Sequence, residues 1–110
     1  MYYRTTRVYR CSMELIDFVV VALNRLPTGY GFLADQLRRS ASSVPLNYLE
    51  GCGRAGHADR KRFFHIAIGS AEEVAGTLEV MRRFGVLSDA DTAKGQELCD
   101  HVVAMLHRFR

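Results

Sequence analysis

Between Gln36 and Arg54 the chain places Gln36, Arg39, Ser43, Asn47, Glu50 and Arg54 three or four residues apart. On a single helix these form one polar stripe, beside an apolar stripe of Leu33, Leu37, Ala41, Val44 and Tyr48. A solvated face has no need of amide, guanidinium, hydroxyl and carboxylate groups kept in register. The pattern suggests a buried network, or a seam between subunits in which the polar groups satisfy one another. The expected pairings are Glu50 or Glu73 with Arg39 or Arg54, and Asn47 with Ser70 or with backbone. Pairs of this kind add little net stability but can fix register and subunit geometry.

A second group is basic: Arg54, His57, Arg60, Lys61 and Arg62, with Asp59 as its only acid. It falls at an expected helix start, where free backbone N–H groups also attract anions. Contact with phosphate or nucleic acid is chemically reasonable there, and a solvated bundle end is the plainer alternative. Arg82-Arg83 and the tail residues His107, Arg108 and Arg110 are weaker patches.

Other patterns lead to less. Gly51-Cys52-Gly53-Arg54-Ala55-Gly56 spells GxGxxG, but a dinucleotide site needs a strand before it and a βαβ unit around it. A helix precedes it instead, so the glycines read as an inter-helix turn with positive φ, and no cofactor is expected. Glu50 and Glu73 on adjacent helices suggest a di-iron site, yet no Glu is followed by His three residues later, so no metal is expected. Ser43 and Ser70 have no nucleophile elbow and no paired His, leaving catalysis without positive support. Cys11, Cys52 and Cys99 are odd in number and far apart, which reads as packing rather than a disulfide framework or zinc site.

The chain has 110 residues, about half of them apolar, enough for one domain over 1–110 with its own core. Its net charge of +3 is carried almost wholly by arginine, Lys61 and Lys94 being its only lysines. That is a mild excess, short of a dedicated nucleic-acid binder. No apolar run approaches the roughly 20 residues that span a bilayer, and the opening MYYRTTRVYR has no apolar core of a signal peptide. No membrane partner is expected, and the cytoplasm is the expected compartment.

Breakers at Pro27-Thr28-Gly29, at Gly51, Gly53 and Gly56, and at Gly85 separate four segments of helical period. Helix one is expected at about 11–26, with Leu15, Ile16, Val19, Leu23 and Leu26 on one face. Helix two is expected at about 32–51. Helix three, at about 57–84, carries Phe63, Ile66, Ala67, Ser70, Val74, Leu78 and Met81. Helix four, at about 89–108, carries Leu98, Val102, Met105 and Leu106, with Phe109 just beyond. Ser88 reads as an N-cap, Gly85 as a left-handed C-cap, and Gly56 with Asp59 as a weakened capping box. Gly69-Ser70 suggests close helix approach. Pro45 would remove a helical hydrogen bond at about 3 kcal/mol, but the stripe keeps its register from Ser43 to Glu50 across it. The expectation is one continuous, Pro-kinked second helix. Short connections predict an all-α, antiparallel, up-down-up-down four-helix bundle.

These residues carry a resemblance. Gln36-Leu37-Arg38-Arg39-Ser40-Ala41, Ser43-Val44-Pro45, Asn47, Glu50-Gly51 and Gly53-Arg54 resemble the four-helix-bundle proteins encoded in intervening sequences of bacterial 23S ribosomal RNA genes. Met13-Glu14-Leu15, Phe63-Phe64, Ile66-Ala67, Gly69-Ser70 and Glu73 extend the likeness over nearly the whole chain. Tyr9, Gly56 and Arg60 depart from the family's usual Trp, Ser and aromatic residue. The resemblance implies a non-enzymatic homopentamer with a central channel and no established activity. A related branch, the accessory variability protein of diversity-generating retroelements, implies the alternative: binding RNA or DNA and a reverse transcriptase.

Overall fold

The computed structural model describes residues 2–108, and the tail positions Phe109 and Arg110 lie outside them. A short 3-10 turn at Tyr2–Thr5 leads into α1 (Arg7–Asn24), followed by α2 (Gly31–Cys52), α3 (His57–Arg83) and α4 (Asp89–Arg108). No strand occurs among the described residues, so the fold is all-α. Three helices begin and end within about a residue of expectation.

The first does not, for a reason in its cap. Thr6 accepts a hydrogen bond from the Tyr9 backbone N–H at 3.3 Å, which starts α1 four residues before Cys11. The basic TTRVYR run masked that start. The far end of α1 stops at Asn24, leaving Leu26 outside the helix.

The other caps divide between expected and not. Ser88 Oγ accepts from the Asp91 N–H at 3.0 Å. Gly85, at φ +77°, ends α3 with paired bonds, from its own N–H to Arg82 and from the Val86 N–H to Met81. That is a Schellman closure, and a residue with a Cβ would be strained there. The start of α3 has no side-chain cap, because Gly56 offers none. The expectation of positive φ in the 51–56 run is wrong: Gly53 and Gly56 stand near −80°, and Gly51 lies inside α2. What Gly51 provides is room. A Cβ on it would meet the Phe64 ring at 2.7 Å and the Arg60 carbonyl oxygen at 3.1 Å, so α3 crosses close over α2 at this point.

α2 runs unbroken through Pro45, whose ring is buried. Each helix packs on the next, and α4 packs on α1, in a body 44 × 22 × 21 Å. Along the α2–α3 contact, Gln36 bonds Glu73, Ser43 bonds Ser70, and Tyr48 stacks on Phe64. Rising numbers on α2 thus meet falling numbers on α3.

The core has two adjoining clusters. One gathers Val8, Val44, Tyr48, Cys52, Phe64, Ala67, Val102 and Leu106. The other gathers Leu15, Val19, Leu33, Leu37, Val74, Leu78, Met81 and Cys99. All five residues of the expected α2 apolar stripe are buried. On α3 three of the expected positions are not: Ile66 is exposed and Phe63 and Ser70 are half-buried, because the buried face is centred on Phe64, Ala67 and Ala71.

Cys52 and Cys99 are buried, whereas Cys11 is only partly covered. Burial pushes the Cys99 thiol up to about 12, and raises Cys52 against the opposing effects of Tyr48 and Arg60. The nucleophile is the thiolate, so these two should be inert. A thiol reagent at pH 8 is expected to modify Cys11 alone in the folded protein and all three cysteines after denaturation. Rapid native modification of Cys99, read by peptide mass, would contradict this packing.

Candidate assembly face and basic end

α2 and α3 lie side by side, and each directs a second, outward row of residues at heptad spacing. On α2 the row is Phe32, Gln36, Arg39, Ser43, Leu46 and Glu50; on α3 it is Arg62, Ile66, Gly69, Glu73, Gly76 and Val80. Spacing of three and four keeps each row on one side of its helix.

The polar stripe occupies this face as three hydrogen-bonded groups. At one level Gln36 donates to Glu73 through its amide nitrogen, and its oxygen accepts from Arg39 at 2.7 Å. At mid-height the Ser43 and Ser70 hydroxyls lie 2.7 Å apart, while the Asn47 amide donates to the Ser43 carbonyl and hydroxyl at 2.9 and 2.8 Å. Below them Arg54 pairs with Glu50 at 2.9 Å and lies 3.6 Å from Asp59. The Glu50–Arg54 and Asn47–backbone pairings match expectation. Glu73 differs, since it takes Gln36 and not an arginine, with Arg39 attached through the amide.

None of the eight stripe residues is buried within one chain. Gln36, Ser43, Asn47 and Ser70 are half-buried, and Arg39, Glu50, Arg54 and Glu73 are exposed. Around them stand apolar groups that the sequence analysis did not place on this face, Ile66 having been expected in the core. Leu46 is 63% exposed, Ile66 is 39% exposed, and Val80, Phe32 and Phe84 extend the apolar surface toward the far end. Tyr30 and Phe32 stack on each other, and Phe84 meets both of them edge-on. Gly69 does not serve close approach inside the subunit, because the space over it and over Gly76 is open. The signal for Leu46 was present: an apolar residue set between Ser43 and Glu50 in the polar register.

The basic cluster lies where α1 begins, α2 ends, α3 begins and α4 ends. Thr6 and Tyr48 hydroxyls meet there at 2.8 Å, and Val8 and Leu106 share a core cluster with Cys52. Arg4, Arg7, Arg10 and Arg108 therefore join Arg54, Arg60, Lys61 and Arg62 at one end, with only Glu50 and Asp59 opposing these eight cations. The rest of the described chain carries six cations and ten carboxylates. A near-neutral composition conceals a strongly segregated charge. The sequence signal was the three-residue step of Arg4, Arg7 and Arg10.

Within this end, Arg54 and Arg62 hold their guanidinium carbons 4.8 and 4.3 Å from the Phe63 ring centre, in cation–π contact. Asp59 also holds Arg62, at 3.4 Å. Arg60 and Lys61 have no ion pair among the described residues, and His57 is exposed at the first turn of α3. At the opposite end Glu79 accepts from Arg82 and Arg83, which hold its carboxyl down at about 2, and Arg82 also reaches Asp89 across the α3–α4 turn.

Among the described residues no group of three His, Cys, Asp or Glu side chains is placed to hold a metal ion. GxGxxG closes a helix instead of following a strand. No described helix is long and apolar enough to cross a membrane.

The fold has a solved counterpart. A crystal structure of a protein of unknown function from the S23 ribosomal protein family of Bacteroides thetaiotaomicron VPI-5482 superposes with a TM-score of 0.84 at 20% identity, covering 92% of this chain and 95% of that one. At that identity the likeness concerns the fold alone. No curated protein matches the chain. The sequence profile of the 23S rRNA-intervening sequence proteins matches residues 4–108, nearly the whole length. The chain belongs to the 23S rRNA-intervening sequence protein family.

Proposed function

We propose that the protein is a non-enzymatic assembly protein of the cytoplasm whose outward α2–α3 face is covered by further copies of itself, five in all. The observation that carries this reading is the composition of that face. Hydrogen-bonded polar groups in heptad register are ringed by exposed Leu46, Ile66 and Val80, and open space lies over Gly69 and Gly76. Side chains from a second copy fit that space, and burial would turn three half-exposed polar groups into the register-fixing contacts of a seam. The family resemblance supports the number five. Leu46→Glu with Ile66→Glu tests the reading through the mass of the particle.

The segregated charge favours a second reading, in which the basic end holds RNA or DNA. As an accessory to a reverse transcriptase the protein would present nucleic acid from this end. Neutralising phosphates releases counterions, so such binding weakens steeply with salt. Arg60→Glu with Arg62→Glu is expected to lower affinity for a single-stranded RNA oligomer roughly tenfold or more at low salt and to flatten the salt slope. Unchanged affinity, measured by fluorescence anisotropy, would remove this end as the contact.

A further inference from the structure

On the side away from the α2–α3 face, α1 and α4 enclose a groove of about 900 Å³, closed at one end by the 85–88 turn. That volume lies within the range of sites for small organic molecules. The floor is apolar: Phe18 and Ala22 from α1, Leu98 from α4, and Val86 and Leu87 from the turn. Gly95 shapes it. A Cβ there would fall 2.5 Å from both the Phe18 ring and Leu78, so the missing side chain lets both approach α4 closely.

The charges on the rim are unequally committed. Arg25 and Asp91 pair across the groove at 3.5 Å. Glu14 and Asp17, three residues apart on the α1 rim, have no cation within 4 Å among the described residues. Lys94 on the facing wall has no carboxylate at that distance. Two uncommitted carboxylates thus face one ammonium. Like charges one helical turn apart repel, and a cation between them relieves that repulsion. We propose that this groove binds a hydrophobic amine, its apolar body on Phe18, Val21 and Leu98 and its ammonium on Glu14 and Asp17.

A matched series of 4-phenylbutylamine, 4-phenylbutan-1-ol and 4-phenylbutyrate, titrated into the full chain and followed by amide NMR shifts, separates the contributions of charge and apolar body. The amine is expected to bind roughly fivefold tighter than the alcohol, the size of one exposed charge pair. The butyrate should bind weakest, with shifts confined to α1, α4 and the 85–88 turn. Glu14→Gln with Asp17→Asn should remove the amine's advantage and leave alcohol binding unchanged. Lys94→Ala should enlarge that advantage. Val21→Arg, at a half-exposed position that folding does not need, should block all three. Equal affinity for the three probes, an amine preference that survives the carboxylate substitutions, shifts elsewhere on the bundle, or no saturable binding at millimolar concentration would each overturn the assignment.

Discussion

Tyr48→Ala is expected to remove about 3–5 kcal/mol of folding stability, the range for deleting a buried aromatic side chain. Tyr48 has no solvent exposure and is among the largest fully buried side chains of the chain. Its ring stacks on Phe64 at 5.9 Å, tying α2 to α3. Its hydroxyl bonds Thr6 at 2.8 Å, and Thr6 caps α1 and also donates to the Tyr3 carbonyl. One residue thus joins three elements at the basic end. Single domains have about 5–15 kcal/mol in all, so the loss is a large share. Tyr48→Phe keeps the ring and should cost only about 1 kcal/mol, the worth of a single net hydrogen bond. Urea unfolding read by circular dichroism measures both. A loss below about 1 kcal/mol for Tyr48→Ala would mean that α2 and α3 are held together elsewhere.

Thr6 and Tyr48 also show where the sequence stopped being legible. Buried apolar periodicity located the helices, because a 3.6-residue repeat is a local signal. It found Leu33, Leu37, Ala41, Val44 and Tyr48 without error. The contact of Tyr48 with a residue 42 positions away has no local signature, and neither has the cap on α1 that it supports. The polar stripe was visible as a register but not as pairings. Gln36 takes Glu73 because α3 brings that carboxylate level with it, a matter of inter-helix height that spacing along one helix cannot encode. Gly51 was legible as a breaker and misread as a turn, since a glycine for close approach and a glycine for positive φ look alike in sequence. The gathering of Arg4, Arg7, Arg10 and Arg108 with the 54–62 cluster depends on all four helix ends meeting, which only the fold supplies.

Leu46→Glu with Ile66→Glu is the second large effect, and it acts between chains. Both side chains are exposed in the single subunit, so the bundle should keep its helices and most of its stability. Surface substitutions away from special features usually change stability by less than about 0.5 kcal/mol. Between copies the effect is different. Each added carboxylate would enter the apolar contact: at position 46 no cation lies one turn away along the helix, and at 66 the one that does, Arg62, is already held by Asp59 and the Phe63 ring. A poorly compensated buried charge costs several kcal/mol, repeated at every seam of a closed ring. The half-buried Ser43, Asn47 and Ser70 group lies between the two positions and cannot offer them a cation. Glu50→Ala is a milder probe of the same face. Glu50 is exposed and, among the described residues, pairs only with Arg54, so its loss should lower particle stability only if a second copy covers it. Retained helicity with a smaller particle would assign these residues to the seam.

The most direct measurement is the absolute mass of the unmodified protein in solution, by light scattering after size exclusion, at low and high salt. The expected result is a stable particle near five times the 12.4 kDa chain, reduced to a single helical chain by Leu46→Glu with Ile66→Glu. A wild-type mass of one chain, unchanged by concentration or salt, would contradict the account and leave the polar stripe as a solvated surface.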